Sequence, residues 1–352
     1  MRWLILTLIV LSFACSKKEA AAPAEPEQSV ETEAPAEASA KSEEQAAEPT
    51  ETEPAAEPEP KPELPEALKG ETPAISAPPV VELLEPGKEP RTVLRSKVAK
   101  GFEQKLTAEV GYALEAIVVI MKVASPRTLI SYDLTMRARK IEDDGTVRVA
   151  FTVDRAAMDA SVSAETEDAK SADQMKEMTR VTGSYAWGPH GGMTDLDIQA
   201  PPDASVSTQS RIDGIRWALT QMIPAFPKEP VGEGAKWTVH EGVLQGGVHV
   251  NQLTTMELVK VKGSRVELAL TVRQTAAEQP YTNPDTGASM TLLTLDGDVI
   301  GSLTWDLSEL APRAADIDLD LVTGTRQVQS DSKRKVDIAV FTDRTVKVTP
   351  KK

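Results

Sequence analysis

One pattern limits what this chain can fold into more than any other: a block of period-two alternation that occurs twice, with the same flanking features in the same order. In the first block Val147, Val149, Phe151 and Val153 share one face while Arg148, Ala150 and Thr152 take the other, as in a strand with one side on a core. Asp143-Asp144-Gly145 precedes it as a hairpin turn, and Tyr132 to Arg139 supplies the strand before that turn. The second block repeats the apolar face with Val266, Leu268, Leu270 and Val272. It follows Thr255-Met256 and Lys260-Val261 where the first follows Thr135-Met136 and Lys140-Ile141. Downstream, Gly183-Ser184-Tyr185-Ala186-Trp187 is answered by Gly301-Ser302-Leu303-Thr304-Trp305, and each is followed by an alternating run, Thr194 to Ile198 and Ala315 to Leu319. Upstream, Lys105-Leu106-Thr107 matches Lys236-Trp237-Thr238, a similarity short enough for any two meanders to share. The common order predicts a duplicated antiparallel meander, with Trp187 and Trp305 as equivalent core anchors.

Helical spacing interrupts the alternation in two places. Ser210 with Asp213 three residues on opens a helix whose Ile212, Ile215, Leu219 and Met222 share a side, and Pro224 closes it. A shorter helix is predicted from Ser171, where Gln174 completes a capping box and Met175 and Met178 face inward. The second copy has only the loop Tyr281 to Gly287 at that point. Val336 to Val340 and Val346 to Val348 predict long terminal strands.

The N-terminal end is a different polymer. Between Ser16 and Glu71 there are sixteen Glu, no Asp and five Lys, so most of the net charge of −15 lies there. Twelve of the 25 Pro fall between Pro23 and Pro79, and no aromatic residue occurs between Phe13 and Phe102. Such a stretch cannot bury enough apolar surface to offset its ordering entropy, and it predicts a disordered, self-repelling tether. What remains is only mildly acidic, which argues against binding a phosphate backbone; nucleic acid is not an expected partner.

Residues 1–14 run from Met1-Arg2 through an apolar stretch, Trp3 to Leu11, to Ala14, as an export signal does, and the stretch is shorter than the ~20 residues of a membrane span. Cys15, the single cysteine, follows directly. This arrangement resembles the lipobox of bacterial lipoproteins, in which the Cys is lipidated and becomes the mature N-terminus. Ser12 stands where that motif usually has Leu, and Leu11 lies one place further out. The resemblance implies lipidation at Cys15, and Ser16 after it, rather than Asp, implies sorting to the outer membrane. The junction Pro230-Val231 to Gly234 and Trp237, entering a strand after a Pro-rich approach, resembles that of uncharacterised β-rich bacterial envelope lipoproteins. It implies fold and location and carries no activity.

Candidate chemistry is sparse. His240 and His249 lie on neighbouring strands about the turn Gln245-Gly246-Gly247 and, with Glu241, form the best candidate metal set, but ordinary strand positions account for them better. Gly188-Pro189-His190-Gly191-Gly192 superficially resembles a lipase oxyanion loop, lacks a Gly-x-Ser-x-Gly elbow, and reads as a turn. Asp316, Asp318 and Asp320 alternate, which places them on the wet side of a strand rather than in a calcium or acid/base site. Neither a P-loop, a dinucleotide fingerprint nor a His-Glu-x-x-His is found, and one Cys excludes a disulfide framework. The apolar run Ile117 to Met121 reads as a buried core strand or, less readily, as the lining of an apolar groove.

The expected protein is α+β and mainly antiparallel β, built of duplicated meander units with one or two short helices, with an open half-barrel among the shapes such a sheet allows. Residues 1–14 are the signal peptide, 15–79 the lipidated Cys and tether, 80–207 the first β-rich repeat, 208–228 the helix and Pro-rich junction, and 229–352 the second repeat with its C-terminal strands. No catalytic, cofactor or metal residue is assigned, only lipidation at Cys15. The expected function is non-catalytic: a lipid-anchored binding or structural module of the bacterial outer membrane, facing the periplasm or the surface, whose partners are the membrane and an envelope protein or apolar ligand. The alternatives are a carrier of acyl chains, like the half-barrel lipoprotein carriers, and a hydrolase.

Overall fold

Alternation over long stretches produces long strands. The computed structural model describes residues 65, 68, 72–75, 77–118, 121–159, 169–283, 287–328 and 334–351; the expected signal peptide, Cys15 and most of the expected tether lie outside them. The elements are β1 (Val80–Glu85), β2 (Glu103–Val118), β3 (Met121–Ala124), β4 (Thr128–Ile141), β5 (Val147–Met158), α1 (Ala169–Met178), β6 (Thr182–Trp187), β7 (Met193–Gln199) and α2 (Val206–Met222) in the first half. The second half has β8 (Lys236–Gln245), β9 (Val248–Lys262), β10 (Arg265–Ala276), β11 (Gln279–Thr282), β12 (Ser289–Asp306), β13 (Ala314–Val328) and β14 (Lys335–Pro350).

All fourteen strands belong to one open antiparallel sheet, in the order β1-β8-β9-β10-β12-β13-β14-β2-β4-β5-β6-β7, with β11 added to β12 and β3 to β2. The duplication is visible in that order: β2-β4-β5-β6-β7 and β8-β9-β10-β12-β13 are the same meander, laid in the same direction across the sheet. Register supports the equivalence. Gly183 lies opposite Phe151 and Trp187 opposite Val147; Gly301 lies opposite Leu270 and Trp305 opposite Val266. A glycine is required at Gly183, because a Cβ there would sit 2.3 Å from the Phe151 ring. The upstream match is displaced, since Met136 pairs with Gln104 while its equivalent Met256 pairs with Trp237. Trp237 therefore corresponds to Gln104 and not to Leu106.

One apolar core serves both meanders, and Trp187 and Trp305, neither with any exposed surface, meet in it. Each unit sends a loop to the other's side. After β12, Leu310 and Ala311 donate their amides to Gln104 Oε1 (2.8 and 2.9 Å), and Tyr185 Oη donates to Leu310 O (3.2 Å). After β6, Gly192 N donates to Pro224 O (2.8 Å), and Trp237 Nε1 donates to Ala225 O (2.9 Å). The helix α2 packs against β2, β7 and β8, so it spans from one end of the open sheet to the other.

Several boundaries differ from those the sequence suggests, each for a tertiary reason. The helix begins at Ser205 rather than Ser210: Glu177 of α1 accepts hydrogen bonds from Ser205 N, Ser205 Oγ and Thr208 Oγ1 at 3.0, 2.9 and 2.6 Å, supplying the anion that a local cap would otherwise provide. Asp213 instead pairs with Arg216 at 3.7 Å. In α1, Met175 and Met178 are buried as expected, and the side chains of the capping pair Ser171 and Gln174 lie outside the described set. The loop from Tyr281 contains the end of β11. The strand β1 pairs with β8 and so belongs to the second repeat although it precedes the first in sequence, while β14 separates the two repeats by pairing with both β13 and β2. Of the apolar run 117–121, Ile117 and Val118 end β2 half-buried and Met121 starts β3 with its side chain exposed, so these are not buried strand positions; Val119 and Ile120 lie outside the described residues. Finally, the tether is not free through residue 79, because Leu68 is buried and Pro73 contacts the sheet.

Candidate functional site

Alternation assigns every strand residue to the core or to solvent, and the solvent side of the longest strands carries an open cleft. On β13 the core side holds Ala315, Ile317, Leu319 and Leu321, the solvent side Asp316, Asp318, Asp320 and Val322, and Gly324 and Arg326 continue the solvent side. Gly324 pairs with Ala339 of β14, which pairs with Ile117 of β2, so three small or apolar residues form one row. An irregularity in β12 between Leu292 and Thr294 inserts Leu293 beside that row. A Cβ on Gly324 would lie 2.8 Å from Thr294 Cγ2, so the glycine is what lets the bulge close against β13.

The result is an open cleft of about 750 Å³ whose floor is Ile117, Leu293, Gly324 and Ala339. One row further along, Val322 and Phe341 face each other across the β13–β14 pair and are 37% and 40% exposed, extending the apolar surface. The opposite rim is charged. Arg326 donates to both Asp337 oxygens (2.7 and 2.9 Å) and holds that carboxyl below its usual range, and Arg334 and Lys335 also line this rim. An apolar floor beside cationic groups can recognise a ligand that is part apolar and part anionic; among the described residues it contains no nucleophile set against a base.

The core side of the second meander is unusual in another way. Where the first repeat presents Tyr132 and Leu134, the second presents Gln252 and Thr254 at equivalent positions beside Glu241 and Gln274. Glu241 Oε1 accepts from Gln252 Nε2 (3.0 Å), and Gln252 Oε1 accepts from Gln221 Nε2 of α2 (2.9 Å) and Gln274 Nε2 of β10 (2.6 Å). Burial without a cationic partner pushes the Glu241 carboxyl up to about 7, against the lowering by Gln252. The enclosed pocket that Glu241 lines beneath α2 has a volume of about 10 Å³, room for about one water.

The sequence-derived candidates do not converge. His240 and Glu241, adjacent in β8, point to opposite sides, as successive strand residues must. His249 lies opposite Leu244 and His240 opposite Leu253, so the two imidazoles are offset along the hairpin. Each is occupied elsewhere: His240 Nε2 with Asn251 Oδ1 (2.6 Å) and His249 Nε2 with Pro73 O (2.8 Å). His190 sits on a turn with Gly191 and Gly192 at positive φ, and its carbonyl accepts from Phe226 N (2.7 Å). Asp316, Asp318 and Asp320 are exposed on the wet side of β13. Among the described residues no group of His, Cys, Asp or Glu could hold a metal ion. The cleft was missed because its residues come from four strands; the available signal was Gly324 inside a strand pattern, which marks a bulge or a close approach.

Residues 200–309 match a family model described as a family of unknown function, DUF6263. The match runs from α2 through β12 and so takes in the polar interior and the β8–β9 hairpin, while most of the cleft falls beyond it. No curated protein matches the chain.

Proposed function

We propose that this chain is a lipid-anchored, non-catalytic component of the bacterial outer membrane, tethered through Cys15 and its acidic Pro-rich segment. Its folded part binds an envelope partner at the cleft between β12, β13, β14 and β2. The observation that carries this reading is the contiguous surface of half-buried Ile117, Gly324 and Ala339 and exposed Val322 and Phe341, beside the Arg326, Arg334 and Lys335 side chains. A carrier of acyl chains needs an enclosed apolar volume of several hundred Å³, whereas the pocket under α2 holds about 10 Å³, with Glu241, Gln252 and Gln221 set among apolar residues such as Val239, Met256 and Leu270. The Trp187 and Trp305 rings, both fully buried, fill the core where they meet.

Photocrosslinking in intact cells tests the reading. A benzophenone amino acid at Phe341 is expected to give discrete adducts, and the same group at Ile300, exposed on the same side of the sheet but outside the cleft, is expected to give none. Identical adducts at both positions, or none at Phe341, would overturn it. Native mass spectrometry of the same protein is expected to show the mass of the lipidated chain with nothing further bound; an additional, non-covalently held lipid would favour the carrier.

A further inference from the structure

We propose that the pocket beneath α2 binds one small monovalent cation, about the size of sodium, held by the Glu241 carboxylate and by uncharged oxygens of α2 and β9. Four elements converge there: β8 brings Glu241, β9 brings Gln252 and Thr254, α2 brings Thr220 and Gln221, and β10 adds apolar side chains. The carboxylate is fixed in place. Glu241 Oε1 accepts from Gln252 Nε2 at 3.0 Å, and Gln252 is held in turn by amide donors from Gln221 and Gln274 at 2.9 and 2.6 Å. Gln221 spends that donor on Gln252 and keeps its carbonyl oxygen as an acceptor. Thr220 donates to Arg216 O at 2.9 Å and likewise keeps an acceptor oxygen, and Thr254 adds a second hydroxyl to the lining. Carboxylate, amide carbonyl and hydroxyl oxygens are the ligands that small hard cations take. Beside them Gln274 Oε1 is fully buried and has no hydrogen-bond partner among the described residues, so the network is richer in acceptors than in donors set against them.

Size and charge select the ion. A space of about 10 Å³ admits one water-sized body, so an organic amine or a hydrated ion is too large. Glu241 is the sole ionisable side chain among the residues lining the pocket: α2, β9 and β10 present only uncharged groups to it, and no cation among the described residues compensates it. A carboxylate left uncompensated away from water is costly; one positive charge balances it, whereas a divalent ion would bury an excess charge of its own. Bound there, the ion ties α2 to β8 and β9. It requires Glu241 ionised, and because burial raises that carboxyl to about 7 in the sodium-free protein, the site is open at pH 8 and closed by protonation at pH 5. The proposal rests on neither the lipid anchor nor the cleft.

Urea unfolding of the full chain at constant ionic strength, with sodium exchanged for tetramethylammonium, which is too large to enter, tests the site. At pH 8 the unfolding constant should fall by about tenfold for each tenfold rise in sodium above half-saturation, as one ion bound only to the folded state requires. At pH 5, where the carboxyl holds its proton, and in Glu241→Gln, which has no charge to balance, the exchange of cations should change nothing. In tetramethylammonium at pH 8 Glu241→Gln should be the more stable protein, and sodium should narrow its lead. Wild-type protein indifferent to sodium at pH 8 would mean that the pocket holds water only, and a sodium dependence retained in Glu241→Gln would place the ion on surface carboxylates; either result overturns the proposal. Neither bears on crosslinking at Phe341, so the cation site and the cleft can fail independently.

Discussion

Trp187 and Trp305 hold the same place in the two repeats and stack on each other, ring centroids 5.4 Å apart and planes at 37°. Their polar edges differ: Trp305 Nε1 donates to Glu309 O at 3.2 Å, while Trp187 Nε1 is buried without a partner among the described residues. Trp305→Ala should cost about 3 to 5 kcal/mol, measured by urea denaturation. Replacement by Phe should separate the two positions, Trp305→Phe costing about 1 kcal/mol more than Trp187→Phe because only the former breaks a hydrogen bond. Equal costs would mean that the Trp305 bond does not form in solution.

Glu241 ties stability to pH. Its folded-state carboxyl titrates at about 7, above the ordinary value of 4.5, so between these values the native protein holds a proton that the unfolded chain releases. The contribution is fully present below pH 4.5 and is lost as pH rises through 7. Glu241→Gln keeps an acceptor for Gln252 and cannot ionise; it should stabilise the protein at pH 8 by about 3 kcal/mol and have little effect at pH 4. A flat difference between the two pH values in paired urea titrations would place the carboxyl in water.

Removal of the carboxylate that serves the start of α2 should be felt there. Glu177→Ala deletes the acceptor used by Ser205 and Thr208, and a loss of about 1 to 2 kcal/mol is expected. Those three bonds hold the Glu177 carboxyl below its usual range, the Thr208 hydroxyl foremost, so their contribution should fade as acid protonates it. Glu177→Gln, which retains an acceptor, should recover part of the stability; exchange at the first turn of α2 would report the change locally.

Replacing Cys15 by Ala should leave the denaturation midpoint unchanged and move the protein from the membrane fraction to the soluble one. Continued sedimentation with membranes would refute a lipid anchor.

Much of the fold was legible because a strand's two-sidedness is local. Val147 to Val153 and Val266 to Val272 announce their faces without knowing their partners, and the shared Gly-Ser-x-x-Trp fixed which strands correspond. Pairings set over long sequence distances were not legible: nothing local in Val80–Glu85 says that its neighbour is β8, and nothing in Lys335–Pro350 says that it separates two repeats. The start of α2 was misread because the anion serving it sits on another helix, at Glu177. Composition misled at Leu68, one apolar residue in a polar stretch, which is buried and whose carbonyl meets Asn251 far along the chain. The cleft could be read no better, since Ile117, Leu293, Gly324 and Ala339 become neighbours only once four strands are in register.

The place of β14 bears on the order of assembly. A chain delivered from its N-terminus can close each meander from contacts already in hand, but β13 and β2 stay unsatisfied along their facing edges until Lys335–Pro350 arrives to zip them together. Until then two long strands offer open backbone to any passing chain, the usual route to mispairing. Completion therefore depends on a late and distant event, and a chaperone that shields those two edges, or a protease that samples them, would act on the vulnerable interval between delivery and closure.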